Sequence, residues 1–188
     1  PGTVLSEGVK FNWESFPEYL DALASMGRAV DVAAQLPHGA LRFYVMGDRG
    51  ADHAEVPTER EIEEMARLTE EALHAGAMGF TTSRTTKHKA RDGRFTPSLS
   101  AREAELLGIA QGMKRAGRGV LQVNSDFGPG EFEALDAAAR LAGRAQGGDR
   151  HLCRQRVGPQ PMHQRFLLGP AGPRGIEHRR ALAGTFDE

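Results

Sequence analysis

Four polar side chains have the types and neighbours that could bind a small molecule: His38, Arg42, Ser83 and Arg84. Gly39 follows His38 and lets the backbone approach a ligand closely, and Arg42 could hold a carboxylate in a two-pronged contact. Ser83 could donate a hydrogen bond to a ligand. No base stands beside it in the sequence, so a serine nucleophile is not supported. We therefore take the four as candidate substrate-binding residues and assign no catalytic residue.

Each candidate also has a purely structural interpretation, which the sequence leaves open. His38 could hydrogen-bond a neighbouring carbonyl at a strand end, and Ser83 could cap its strand. Asp126 could ligate a metal or act as a base, but aspartate is also a typical turn and cap residue. A basic loop could attract an anionic substrate or remain a solvated surface, and it contains Arg84, Lys87, His88, Lys89, Arg91 and Arg94.

Three helix-start signals divide the chain into similar units. In each, a hydroxyl residue stands three positions before a glutamate, as in a capping box: Ser15 with Glu18, Thr58 with Glu61, and Ser100 with Glu103. Apolar residues behind the second and third signals recur at i, i+3 and i+4, which predicts helices with one buried stripe. Glycines that can adopt a left-handed conformation predict where the helices end: Gly27, Gly76 and Gly117.

A short apolar run follows each predicted helix. The three runs have the length of strands rather than helices, and they cover residues 29–36, 77–83 and 119–124. Their nearly continuous apolar character is typical of a parallel sheet covered on both faces. A fourth helix is predicted over residues 130–141.

Alternating helices and parallel strands leave two architectures, a doubly wound open sheet and a closed (β/α) barrel of the TIM type. No GxGxxG or GxxxxGK[ST] motif follows a strand, and this favours a barrel fragment of three to four β/α units. In a barrel, chemistry is assembled after the carboxyl ends of the strands. Here those segments are residues 37–42, 83–94 and 125–130.

Residues 145–188 differ in character from residues 1–144. This tail contains no lysine and is rich in glycine, proline and arginine, with no helical or strand periodicity. It is either a disordered basic tail or a segment translated in the wrong reading frame, and the scarcity of lysine favours the second. We predict an irregular tail, in which His151, Cys153 and His163 do not form a zinc site.

The composition excludes several classes of protein. Of the 188 residues, 39% are hydrophobic, and 24 lysines and arginines nearly balance 25 aspartates and glutamates. We therefore expect no nucleic-acid or membrane partner. One cysteine rules out an internal disulfide. The chain starts at Pro1 and has no apolar run of signal-peptide or membrane-spanning length, so we expect a cytoplasmic protein and part of a longer chain.

The motifs identify a family resemblance. AVDVAAQLPHGALR (residues 29–42) and GAMGFTTSRT (residues 76–85) resemble the D-aminoacylase group of the amidohydrolase superfamily, also called amidohydrolase family 3. WESFPEYLDAL (residues 13–23) is similar to the helix that precedes these motifs in that family. The resemblance runs from about Glu7 to Arg144, so residues 1–144 are interpreted as a partial amidohydrolase barrel.

The resemblance implies a zinc-dependent hydrolase of linear amides such as N-acyl-D-amino acids, in which a metal-bound water attacks a small-molecule amide substrate. A metal-binding histidine often ends the family strand that GVLQVN resembles. Asn124, a poor zinc ligand, stands there in this chain. We therefore expect zinc in the full-length family, no metal bound by this chain alone, and no activity from it. The alternative is a noncatalytic module that binds an anion through residues 84–94.

Overall fold

The computed structural model describes residues 11–90 and 92–143 in full, together with the backbone of residues 150–155 and 164–170. Its helices are α1 (Phe16–Ser25), α2 (His38–Met46), α3 (Glu59–Ala75), α4 (Glu103–Ala116) and α5 (Glu131–Gly143). Its strands are β1 (Gln35–Pro37), β2 (Gly79–Arg84), β3 (Val120–Ser125), β4 (Arg150–Gln155) and β5 (Gln164–Pro170). A 3₁₀ turn over Gly47–Ala51 follows α2.

The strands form one mixed sheet in the order β1-β2-β3-β5-β4. β1, β2 and β3 are parallel neighbours, as the sequence predicts, and helices connect them. β5 runs antiparallel to β3, and β4 runs antiparallel to β5. The three parallel strands are consistent with part of an amidohydrolase barrel, while barrel closure stays a prediction.

The first predicted strand is wrong over most of its length. β1 covers only Gln35–Pro37, where it pairs with β2 from Gly79 to Thr81. β2 begins at Gly79, so the earlier part of the apolar run has no β2 residue to pair with, and Val30 and Val32 are exposed. The segment expected to be a loop, residues 37–42, instead enters α2 at His38. Pro37 is its extended N-cap residue, and the good helix formers of HGALRFYVM follow.

Two of the three predicted capping boxes are present. The hydroxyls of Ser15 and Thr58 accept from the amides of Glu18 and Glu61, whose carboxylates accept from the cap backbone in return. The third prediction is wrong, because α4 begins after Arg102 without a side-chain cap. The prospective cap hydroxyl, that of Ser100, donates instead to the distant carbonyl of His53 at 2.5 Å.

The predicted helix ends at Gly76 and Gly117 are confirmed, since both glycines adopt the left-handed conformation that ends α3 and α4. The prediction at Gly27 is wrong, because α1 ends at Ser25 and its cap residue, Met26, is extended. The fourth helix, α5, runs two residues beyond its predicted end at Leu141.

The two faces of the parallel sheet differ in polarity. Phe80 on β2 and Leu121 and Val123 on β3 belong to the apolar core that the sheet forms with the helices. Because successive strand residues point to opposite faces, the intervening residues lie on the other face. Those residues are polar and half-buried: Thr81, Ser83, Gln122 and Asn124.

The prediction of an irregular tail is corrected at two places. Residues 150–155 and 164–170 form β4 and β5, although neither stretch has alternating polar and apolar residues or a continuous apolar sequence. β3 offers an unpaired edge on the side away from β2, and β5 pairs with that edge from Leu121 to Ser125. His163 and the side chains of His151 and Cys153 lie outside the described residues, so the prediction about them stays a prediction.

Candidate functional site

The carboxyl ends of β2 and β3 bring polar side chains together on one face of the sheet. Ser83 and Asn124 are register partners on the two strands, directly above the pair Thr81 and Gln122. This is the position where parallel α/β proteins assemble ligand sites. We take this strand end as the candidate site, and its members include residues that the sequence did not single out.

His88 joins Ser83 to Asn124 at this site. The Ser83 hydroxyl lies 2.7 Å from Nδ1 of the imidazole, and Nδ2 of Asn124 lies 3.3 Å from Nε2. The amide oxygen of Asn124 is buried and has no hydrogen-bond partner within the described part of the chain. No base stands beside Ser83 in the sequence, but in the structure the loop after β2 folds back and brings His88 to it.

Asp126 ties the loop after β2 to the end of β3. Its carboxylate accepts from the Thr85 hydroxyl at 2.6 Å and from the backbone amide and hydroxyl of Thr86 at 2.9 and 3.0 Å. These hydrogen bonds, that from Thr85 foremost, lower the pKa of Asp126. In the described structure Asp126 fastens one loop to the next strand, which differs from both the metal-ligand and the helix-cap interpretations.

Arg84 anchors the same region from the opposite face of β2. Its guanidinium donates to Glu131 at 2.6 Å and to the backbone carbonyls of Ser98 and Ala101 at 3.3 and 2.8 Å. The Arg84 and Glu131 side chains are only 10% and 11% exposed. In the described structure these contacts occupy Arg84 in joining β2 to α5 and to the segment before α4. Its substrate-binding role stays a prediction.

His38 and Arg42 form a buried cluster with Glu105 of α4. Nε2 of His38 lies 2.8 Å from one oxygen of the carboxylate, and Nη1 of Arg42 donates to the other at 2.5 Å. Nδ1 of His38 lies 2.8 Å from the Thr82 hydroxyl. All four side chains are buried, so the cluster lies inside the helix-covered face of the sheet rather than at the polar face. The prediction that His38 and Arg42 bind substrate is not tested by this geometry and stays a prediction.

The hydrogen-bond partners fix the protonation of this cluster. A carboxylate only accepts, so Nε2 of His38 carries the hydrogen and Nδ1 accepts from Thr82. Burial lowers the pKa of His38, although the hydrogen bond to Glu105 opposes this. Burial raises the pKa of Glu105, but the hydrogen bond from His38 and the charge of Arg42 outweigh burial, and the net shift is downward. At neutral pH, His38 is therefore neutral, and it lies between the ionised Glu105 and the hydroxyl of Thr82.

Several cations of the basic loop have partners. Arg84 is paired with Glu131, Arg94 donates to Asp92 at 2.6 Å, and Nζ of Lys89 lies 4.9 Å from the centre of the Phe95 ring. Arg91 lies outside the described residues. The interpretation of the loop as an anion-binding patch stays a prediction.

The described residues do not contain a metal site. Within residues 11–90 and 92–143, no group of three or more histidine, cysteine, aspartate or glutamate side chains is arranged to hold a metal ion. Asn124 at the end of β3 contacts His88 instead. The described residues therefore do not fit the zinc centre that the resemblance implies.

The parallel strands and the helices that connect them define an α/β protein whose polar side chains gather at the carboxyl ends of the strands. A model of the amidohydrolase family matches residues 3–163, which is most of the chain, and the chain belongs to this family. The match extends beyond residue 144, where the resemblance read from the sequence ended.

Curated relatives include a D-aminoacylase and two deacylases of Alcaligenes xylosoxydans xylosoxydans. The chain is 39% identical to a D-aminoacylase over 82 residues, which is 44% of this chain and 16% of the relative. It is 32% identical to an N-acyl-D-glutamate deacylase over 64% of this chain and 21% of the relative. It is 35% identical to an N-acyl-D-aspartate deacylase over 57% of this chain and 19% of the relative. The matched stretches thus span about a fifth or less of these relatives.

No solved structure matches the chain. Among the described residues, no helix is both long enough and apolar enough to cross a membrane.

The sequence did not predict that Glu105 and His88 are hydrogen-bond partners in these clusters. Glu105 stands 67 positions from His38, and only packing of α4 against the sheet joins them. His88 was read as one cation of a basic loop, because the turn that brings its ring to Ser83 has no sequence signature. Asn124 was noticed only as a departure from the family pattern.

Proposed function

We propose that the full-length protein is a cytoplasmic, metal-dependent amidohydrolase that cleaves a linear amide of the N-acyl-D-amino acid type. The observation that carries this proposal is family membership over residues 3–163, with polar residues at the carboxyl ends of the strands inside that stretch. The relatives named D-aminoacylase, N-acyl-D-glutamate deacylase and N-acyl-D-aspartate deacylase support the substrate class.

Zinc is the cofactor that we propose for the full-length protein, by analogy with the family. It would supply a hydroxide at neutral pH from a bound water. Because the described residues lack a ligand set for it, we assign no step of the reaction to a metal held by this chain. We also propose that the 188-residue chain alone is inactive, since an incomplete set of ligands cannot hold a metal with an open position.

The role we propose for the described residues is to bind and orient the substrate. Ser83 and Asn124 present a hydroxyl and an amide at the sheet edge, which suit the N–H and C=O groups of a linear amide. Asp126 and Arg84 hold the surrounding segments in place through their contacts with Thr86 and Glu131. Substrate binding at this edge would therefore rest on neutral hydrogen bonds.

The test is hydrolysis of N-acetyl-D-amino acids by the full-length protein, with the L-enantiomers as controls. The expected result is release of the free D-amino acid, loss of activity after dialysis against a chelator, and recovery with zinc. Metal content is measured by elemental analysis on the same samples. Turnover that persists in metal-free protein would contradict metal dependence, and no turnover of any N-acyl amino acid would contradict the substrate class.

A further inference from the structure

Ser83, His88 and Asn124 form a hydrogen-bonded series whose geometry suits covalent chemistry. The Ser83 hydroxyl is 2.7 Å from the His88 imidazole, which contacts the Asn124 amide through its other nitrogen at 3.3 Å. A hydroxyl, an imidazole and a third group that orients the imidazole together make serine a nucleophile. We propose that Ser83 accepts acyl groups from esters, with His88 as the base and Asn124 as a positioning residue. This is a separate activity and does not depend on the proposed amide hydrolysis.

The backbone holds Ser83 in place while leaving its hydroxyl available. Its carbonyl oxygen accepts from the Ser98 hydroxyl at 2.7 Å and from the Thr96 hydroxyl at 3.4 Å. Within residues 11–90 and 92–143, His88 is the only hydrogen-bond partner of the Ser83 hydroxyl. When the Asn124 amide is turned so that its Oδ1 accepts from Nε2 of His88, the hydroxyl hydrogen can be directed to Nδ1 of His88 without loss of another contact of Ser83.

Asn124 suits the orienting role because an amide offers both a donor and an acceptor. Its Nδ2 faces Nε2 of His88, and its buried Oδ1 has no partner in the described part of the chain. A half-turn of the amide exchanges the two atoms and lets Oδ1 accept from a protonated Nε2. The ring therefore keeps a partner while its Nδ1 takes the proton from Ser83.

A second serine–histidine pair, Ser100 with His53, differs from Ser83 with His88 in where the hydroxyl hydrogen goes. Nδ1 of His53 lies 2.9 Å from the Ser100 hydroxyl, but that hydroxyl donates its hydrogen to the His53 carbonyl at 2.5 Å. The ring of His53 packs edge-on against Phe95. Ser100 therefore has no base to which it can give its proton, and it is the matched internal control.

The proposed step is acyl transfer from an activated ester such as p-nitrophenyl acetate. Oγ of Ser83 forms a bond to the acetyl carbon as its proton moves to Nδ1 of His88. The bond to the phenolic oxygen breaks, and p-nitrophenolate leaves with the electron pair. The proton then passes from His88 to solvent, and acetyl-Ser83 remains until water hydrolyses it.

The experiment treats the full-length protein with p-nitrophenyl acetate after metal has been removed with a chelator, so that a metal-bound water cannot contribute. Peptide mass spectrometry then measures acetylation of Ser83 and Ser100 in the same molecules. We expect acetylation of Ser83 to be at least about a hundredfold faster than that of Ser100, the size of a general-base contribution. Equal rates at the two serines, or no acetyl-Ser83, would overturn the proposal.

Variants separate the roles of the two partners. His88→Ala should slow acetylation of Ser83 by about a hundredfold or more and leave Ser100 unchanged. Asn124→Leu should slow it as well, and Asn124→Asp should restore it, because a carboxylate also accepts from Nε2. A His88→Ala protein that acetylates Ser83 at the original rate would exclude His88 as the base. Because the deacylase assay is separate, either proposal can fail alone.

Discussion

Glu105 is the residue on which the buried cluster depends. Its carboxylate is 1% exposed and accepts from both His38 and Arg42, whose side chains are fully buried. Arg42 also donates to the backbone carbonyls of Asp52 and Glu55 at 3.3 and 2.7 Å, so the cluster fastens the segment after α2 to α4. Its Nε has no partner within the described residues, which makes the carboxylate the main compensation for a buried charge.

We predict that Glu105→Gln, a change of nearly equal volume, destabilises this region by roughly 3 to 5 kcal/mol, because it leaves the Arg42 charge buried without a counter-ion. The measurement is amide hydrogen exchange in β2 and α4. Glu103→Gln, at an exposed position in the same helix, is the control and should change stability by about 0.5 kcal/mol or less. Equal effects of the two substitutions would show that the cluster contributes no net stability.

The buried imidazole makes stability depend on pH. Burial holds the pKa of His38 below its ordinary value of 6.5, so the unfolded chain binds a proton at a pH where the folded chain does not. Stability therefore falls as the pH falls through about 6.5, by at most about 1.4 kcal/mol per pH unit for one proton. The lowered pKa of Glu105 acts in the same direction, and its contribution is lost only below its ordinary value of 4.5.

We predict that the urea midpoint of the full-length protein decreases between pH 7 and pH 5.5, and that His38→Gln makes this decrease smaller. The glutamine removes the titrating group and keeps an N–H that can reach Glu105. His74→Gln is the control for the loss of a histidine at the surface, since the side chain of His74 is 58% exposed on α3. An equal slope in the parent chain and in His38→Gln would mean that His38 is not the group responsible.

At the scale of elements, α3 and α4 approach closely because α4 has a glycine at the crossing. A Cβ built on Gly112 would lie 2.1 Å from the carbonyl oxygen of Ala66, far inside van der Waals contact. The apolar stripes of the two helices meet around this point, with Met65 and Met113 buried among them. The crossing therefore needs a residue without a side chain, even though glycine weakens a helix.

We predict that Gly112→Ala destabilises the full-length protein by about 1 to 3 kcal/mol, because the helices must separate to admit the methyl group. Helix propensity alone predicts the opposite sign, a gain of up to about 1 kcal/mol. Gly143→Ala is the matched control, since nothing lies within 4 Å of its added Cβ and it also stands in a helix. The measurement is the free energy of unfolding in urea. A Gly112→Ala protein that is more stable than the parent would contradict the close crossing of α3 and α4.

Local rules account for the elements that the sequence predicts and fail where distant contacts decide. Thr58 and Gly76 begin and end α3 through bonds within a few positions, so their pattern is legible in the sequence. Ser100 has the same local pattern as Thr58, but its hydroxyl bonds His53 instead. The site shows the same division. The strand ends were predictable from periodicity, whereas the pairing of Ser83 with His88 depends on how one loop folds back.

At the scale of the whole molecule, the described sheet leaves surfaces that an isolated chain would expose. β1 is at an edge of the described sheet, and among the described strands its three residues pair only with β2. Phe43 and Tyr44 on α2 and Phe132 on α5 are each 51% exposed. An apolar cavity of about 330 Å³ lies between α1, β1 and α2, with Trp13 among its lining residues. An open edge and exposed apolar groups favour association over a closed core.

We therefore predict that the purified 188-residue chain gives a broad, weakly cooperative thermal transition and no zinc-dependent hydrolysis of N-acetyl-D-amino acids. Two independent causes lead to this result: the uncovered sheet edge and apolar groups lower stability, and the described residues lack the ligands for a metal. Calorimetry and the deacylase assay, run beside the full-length protein, measure both. A sharp two-state transition together with zinc-dependent turnover by the chain alone would show that residues 1–188 form a complete enzyme, contrary to this prediction.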